Sequence, residues 1–144
     1  MTSRSVQLSI RIRAKPSVVW ATLLDASKIA RWMDGAHVES TWQPGSAITF
    51  TGTLNNRPYQ DRGTVLVCEP ERELRYNQWS SWSRRVDSEE TRTVITLTVT
   101  AEDDAETVLE VQHDNLTSEK TFGHSRFFWR NALADVKNIS EGAA

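Results

Sequence analysis

The chain has a single cysteine, Cys68, so no disulfide can close within it, which agrees with a reducing compartment. Four prolines and six glycines in 144 residues are too few for a collagen-like or linker-dominated sequence. Neither sign of charge prevails. With 17 basic and 19 acidic residues the net charge is -2, which supplies no counterion-release drive towards nucleic acid. The adjacent Arg84 and Arg85 read as a solvated loop, not a phosphate grip. A long hydrophobic run is missing too. From Met1 to Lys15 polar or charged side chains stand at every second place, unlike the continuous apolar stretch of a signal peptide or membrane span. A cytoplasmic protein with no membrane insertion and no nucleic-acid partner is expected.

Compact catalytic motifs are also absent. There is no His-Glu-x-x-His, no Cys-x-x-Cys and no histidine pair at helical separation, so neither a metal nor another cofactor is expected. No Gly-x-Ser-x-Gly elbow and no phosphate-cradling glycine loop supports a hydrolase or a nucleotide-binding reading. The glycosylation-like triplets at Asn115 and Asn138 are read as chance matches.

What is present is periodicity. The length suits one domain over residues 1–144, large enough to bury roughly two-thirds of the surface of its unfolded chain. Val6, Leu8, Ile10 and Ile12 alternate with polar residues as in a strand wet on one face. Pro16 suits a first helical turn, followed by Val19, Trp20, Leu23 and Leu24 at helical spacing. Asp25 ends that helix and caps a second short one with Ile29 and Trp32 inward. Pro44-Gly45 marks a turn, after which Ile48, Phe50, Gly52 and Leu54 alternate as far as Asn55-Asn56. The next strand begins near Tyr59, bends or bulges at Gly63 and stops at Pro70. Leu74, Tyr76 and Gln78 share a strand face. Ile95, Leu97 and Val99 share another, and beyond a turn at Asp103-Asp104-Ala105, Leu109, Val111 and His113 form the returning one. From Thr121 the spacing turns helical through Phe122, Trp129, Leu133, Val136 and Ile139, bordered by Ser125, Phe128 and Ala132, for about five turns. This order suits an α+β fold, a sheet wrapped around its terminal helix with a pocket between them.

Several segments together carry a family likeness: Pro16 to Trp20, Asp25 to Trp32, Pro44-Gly45 with Ile48 and Phe50, and Gly63 to Val67 with Glu69-Pro70. Leu74 with Tyr76, then Leu109, Val111 and His113, and Gly123 with Trp129 and Leu133 complete the set. In this order the chain resembles the START-like, helix-grip (Bet v 1-like) superfamily. Within it, the chain is similar to bacterial proteins related to the C-terminal domain of the Hsp90 ATPase activator. The resemblance implies a curved antiparallel sheet of about six to seven strands around a long C-terminal helix, two short helices near the N-terminus and a cavity between sheet and helix. It also implies a range of activities, since members of the superfamily carry lipids, plant hormones and polyketides and some catalyse cyclisation or dehydration. Met33 stands where relatives often have a second Trp, and Trp79 to Thr91 has the look of a variable hairpin that sets ligand choice.

His113 shares its strand face with Leu109 and Val111, so its imidazole points inward as a general base or a ligand-binding donor. A core histidine bonded to backbone or tyrosine is the competing reading. His124 reads as a capping or surface residue, His37 as part of a loop, and Cys68 as a small buried hydrophobe. Trp32, Met33, Phe50, Tyr76, His113, Phe122, Phe128 and Trp129 are the candidate ligand-binding residues, with Phe50 chiefly packing. Arg126 is a candidate partner for a ligand carboxylate or for an exposed salt bridge. The leading expectation is a binder of a small hydrophobic molecule, lipid-, polyketide- or aromatic-metabolite-like. A cyclase, dehydratase or isomerase using His113 and Tyr76 is the alternative, a chaperone-associated interaction protein the third, and a homodimer stays open.

Overall fold

The computed structural model describes residues 3–83 and 85–142; Arg84, half of the basic pair, lies outside them. The chain opens with β1 (Arg4–Ile12), which sends Val6 and Ile12 into the core and leaves Gln7, Ser9 and Arg11 exposed. Pro16, which has no N–H to leave unpaired, starts α1 (Pro16–Leu24). The Asp25 side chain accepts the Ser27 N–H at 2.9 Å and caps α2 (Ala26–Trp32). Trp32 Nε1–H then donates to the Thr22 carbonyl at 3.0 Å, satisfying one of the free acceptors at the end of α1.

Six further strands follow: β2 (His37–Ser40), β3 (Ala47–Leu54), β4 (Arg57–Glu69), β5 (Glu73–Gln78), β6 (Thr93–Ala101) and β7 (Thr107–Leu116). With β1 they form one seven-stranded sheet in the order β1-β7-β6-β5-β4-β3-β2, every neighbouring pair antiparallel. Three details correct the expectations from sequence. His37 is no loop residue; it is exposed at the start of β2, opposite Thr51 of β3, in a strand too short for its alternation to show. β4 starts at Arg57, before Tyr59, because Asn55 and Asn56 both adopt positive φ, 53° and 64°, and a two-residue turn sets Leu54 opposite Arg57. The 79–91 segment is not a hairpin of its own. It is the loop joining β5 to β6, and among the described residues an isolated bridge from Trp79 to Arg62 is its β pairing.

Gly63 does mark a close approach: a Cβ there would collide with the carbonyl oxygen of Asn77 on β5. Just beyond it the β4–β5 register shifts between Val65 and Val67, so Val65 is fully buried while Leu66 faces solvent.

The chain closes with α3 (Glu119–Ser140), whose 22 residues make about six turns, one more than expected. It starts before Thr121 because Ser118 and Thr121 form a reciprocal capping box. The helix packs chiefly against β1, β7, α1 and α2. Its inward stripe of Trp129, Ala132, Leu133 and Val136 joins Ile12, Val19, Ile29, Ile48, Leu97 and Val111 in one core. The architecture is α+β, an antiparallel sheet gripping a C-terminal helix. No helix among the described residues is long and apolar enough to cross a membrane.

Candidate functional site

The two halves of α3 meet the sheet differently. Leu133 and Val136, 3% and 1% exposed, are locked into the core. Nearer the N-terminus the wall-facing residues are Thr121, Ser125, Phe128 and Trp129, and the helix leans onto the β1–β7 side. Part of the concave face of β3 to β7 is therefore left unfilled. The space between is a cavity of about 400 Å³, walled by Phe50, Tyr59, Tyr76, Trp79, Trp82, Phe128 and Trp129 and by the polar groups Asp61, Gln78, Thr93, His113 and Ser125.

His113, on β7, is held on one side only. Its Nδ1 lies 2.6 Å from Ser125 Oγ and 3.3 Å from Trp129 Nε1, both on α3. An indole N–H can only donate, so Nδ1 must be an acceptor, and in the neutral ring the proton sits on Nε2. The Ser125 hydroxyl then donates to Nδ1 as well. Burial pushes the imidazole down to about 4, against a weaker opposing pull from Asp114, so the ring is neutral at physiological pH. Its Nε2 is buried and finds no hydrogen-bond partner among the described residues. A buried donor left unpaired costs about 1–3 kcal/mol, so the position favours any acceptor that reaches it.

Asp61 is the second polar post. On β4 the residues Tyr59, Asp61, Gly63 and Val65 share the inner face, and Asp61 stands opposite Phe50 of β3. Its Oδ2 accepts from Gln78 Nε2 at 3.0 Å and its Oδ1 from the Ser81 N–H at 3.4 Å. Burial raises its carboxyl, opposed by hydrogen bonds from the Ser81 backbone and the Ser80 and Gln78 side chains. Tyr76 is 3% exposed, packs against Phe50 at a ring separation of 5.8 Å, and has no hydrogen-bond partner among the described residues. Burial, and then the charge of Asp61, push its hydroxyl above the ordinary phenol range, so it stays a protonated donor.

The 79–91 loop covers this end of the cavity and is fastened at several points. The Asp87 carboxylate accepts from Arg92 Nε at 2.8 Å and from Arg62 Nε at 2.8 Å, and these two bonds hold its carboxyl down to about 2. Asn115 Nδ2 donates to the carbonyls of Glu90 and Arg92, both at 3.0 Å. Trp79 Nε1 donates to the Arg85 carbonyl at 2.9 Å with the Arg62 guanidinium over its ring, and Trp82 lies under Arg57 in the same way.

Of the residues expected to line a cavity, Met33, Phe50, Tyr76, His113, Phe128 and Trp129 are brought together on its wall. Trp32 and Phe122 are not among the wall residues. Trp32 is consumed in packing, its indole N–H tied to Thr22 and its ring 6.2 Å from that of Trp129. Phe122, seven residues before Trp129, keeps to the inward side of α3 but sits at its first turns, partly buried with the Arg4 guanidinium 5.1 Å from its ring centre, while Ser125 one turn on reaches the cavity. Arg126 is exposed and off the wall, whereas His124, read as a cap or surface residue, borders the cavity. Cys68 is half-buried on β4, and burial raises its thiol, which keeps it protonated and unreactive. Sequence reasoning missed Asp61 as a wall position; it singled out Trp79 to Thr91 for ligand choice without naming a wall residue there, and Trp79 and Trp82 of that segment lie on the wall. The period-two pattern from Tyr59 through Gly63 to Val65 was the available sign that Asp61 faces inward. Among the described residues no group of three His, Cys, Asp or Glu is placed to hold a metal ion.

A family model described as activator of Hsp90 ATPase homolog 1-like protein matches residues 13–140. The chain belongs to that family. This activator-homologue-like chain is similar to the solution structure of ChR145 from Cytophaga hutchinsonii, at 30% identity and a TM-score of 0.81, covering 98% of this chain and 97% of that one. The Aha1 dimer from Colwellia psychrerythraea shares the fold at 15% identity and a TM-score of 0.75, with 96% and 97% covered. So does PFC0360w, an HSP90 activator from Plasmodium falciparum, at 15% identity and a TM-score of 0.74, with 94% of each chain covered. No curated protein matches the activator-homologue-like chain.

Proposed function

We propose that the protein binds a small, mostly apolar molecule in the cavity between sheet and C-terminal helix, oriented by an acceptor group that meets His113 Nε2–H. The observation that carries this reading is the buried, unpaired Nε2 on the wall of a cavity of about 400 Å³. That volume falls within the range of small-molecule sites, and each 100 Å² of apolar ligand surface buried there contributes about 2.5 kcal/mol. Tyr76 offers a second donor. Native mass spectrometry after gentle purification tests the reading, together with thermal-shift screening of lipids, aromatic ketones and polyketide-like acids. A retained small-molecule mass, or a dose-dependent stabilisation that weakens in His113→Phe, is the expected result. A bare mass and no stabilisation by any compound class would sink it.

The enzyme reading has less support. His113 Nδ1 is held by a hydroxyl and an indole, not by a carboxylate that would stabilise an imidazolium, and burial opposes proton uptake at neutral pH. Chaperone activation is what the family description and the Plasmodium relative's name say of other proteins. For this chain its test is pull-down of Hsp90 and stimulation of the Hsp90 ATPase.

A further inference from the structure

We propose that the ligand carries, besides the acceptor that meets His113, a hydrogen-bond donor, a hydroxyl or a protonated amine, received by the Asp61 carboxylate; this inference rests on the ligand-binding reading above.

The inner face of a strand over a core is normally apolar, and Asp61 interrupts such a face between Tyr59 and Val65, opposite Phe50. An ionised carboxylate there is costly to desolvate, and its cost needs a structural or functional return. The structural return is small. The donors are neutral, the Gln78 amide, the Ser81 N–H and the Ser80 hydroxyl, and the bond from Ser81 is long at 3.4 Å. No Lys or Arg among the described residues forms a salt bridge with Asp61. A carboxylate offers about four acceptor directions, so capacity remains for a donor arriving in the cavity.

The position of this capacity gives the ligand a shape. Asp61 stands on β4 and the unpaired His113 Nε2–H on β7, three strand steps apart in the sheet. Through Ile95 and Tyr76, His113 is in register with Val65 of β4, four residues from Asp61, so the posts lie roughly 14 Å apart across the strands and about 13 Å apart along them, roughly 19 Å over the sheet and less across the hollow of its curve. Between the two posts the sheet presents Tyr76 on β5, with Phe50 beyond Asp61 on β3, and Phe128 and Trp129 of α3 face them across the cavity. A flat ring system with a carbonyl at one end and a hydroxyl at the other satisfies both posts and buries its faces on the rings. Desolvation of Asp61, visible in its raised carboxyl, makes the charge-assisted bond stronger than it would be in water.

The test is isothermal titration of the full chain and of Asp61→Asn with three probes: an acetylnaphthalene, the same ketone bearing a hydroxyl on the far ring, and the methyl ether of that hydroxyl. The hydroxyketone should bind the native chain about tenfold more tightly than the ether, the discrimination expected of a hydrogen bond to a charged group. In Asp61→Asn the ratio of hydroxyketone to ether affinity should fall below about threefold. Equal affinity of hydroxyketone and ether for the native chain, or an undiminished ratio in Asp61→Asn, overturns the inference and leaves cavity binding standing. Failure of all three ketones to bind overturns the inference, and the wider ligand screen then decides whether cavity binding falls as well. The fold of the variant is checked by its circular dichroism spectrum and a cooperative thermal transition at pH 7.

Discussion

At the scale of single residues, one ring nitrogen of His113 decides the role of the other. Trp129 can only donate to Nδ1, so Nε2 carries the proton and becomes the buried donor. The same burial has a signature in acid. The imidazole is pushed from 6.5 to about 4 on folding, so between these values the unfolded chain binds a proton that the folded chain refuses. Stability contributed by the neutral ring is complete above pH 6.5 and is lost as the pH falls towards 4, by up to about 3 kcal/mol at 1.36 kcal/mol per pKa unit. Urea unfolding at pH 7 and at pH 4.5 should show this loss in the native chain and a smaller one in His113→Gln. Parallel losses in both would mean that the ring titrates freely in the folded state. The inward direction of His113 was legible from its alternation with Leu109 and Val111. Its pairing with Ser125 and Trp129 was not, because that contact depends on how α3 is rotated about its own axis above β7.

Elements add a second kind of evidence in two glycines of opposite meaning. Gly63 lies where β4 and β5 come too close for any Cβ, the Asn77 carbonyl occupying that space. Gly123 lies inside α3 with nothing within 4 Å of its Cβ direction. Gly63→Ala should therefore destabilise by about 2 kcal/mol or more through a backbone clash that the strand pair cannot relieve cheaply. Gly123→Ala should stabilise by about 1 kcal/mol, the helix-propensity difference. Denaturant midpoints of the two variants decide the matter, and a stabilising Gly63→Ala would mean that β4 and β5 do not pair as described. Both glycines stood inside clearly periodic segments of the sequence. Sequence reasoning already suspected a bend or bulge at Gly63, since glycine is unfavourable in a strand; the partner that makes it necessary is on another strand.

Over the whole molecule, the grip of sheet on helix divides into an anchored end and an open end. Leu133 is 3% exposed in the core, whereas Phe128 is half-buried at the cavity, its ring edge-on to Trp129 at 5.0 Å. Leu133→Ala should cost about 3 kcal/mol in unfolding free energy and leave affinity for an apolar ketone nearly unchanged. Phe128→Ala should cost less stability and change that affinity by about tenfold, since it removes ligand-facing wall. Calorimetry and urea denaturation on the same two proteins compare these effects. The reverse pattern would place the binding surface elsewhere.

Most of the order of elements, the alternation of the longer strands, the cap at Asp25 and the amphipathic stripe of α3 were present in the amino-acid order. They depend on neighbours a few residues away, and a linear chain displays such neighbours directly. Trp32 packed away from the cavity, Phe122 left beside Arg4 outside its wall, Asp61 brought into the hollow with Tyr76 and Gln78, and the 79–91 loop fastened through Asp87 were decided only in three dimensions. Each depends on where the sheet curves and how far the helix leans, and those distances join residues far apart in the chain.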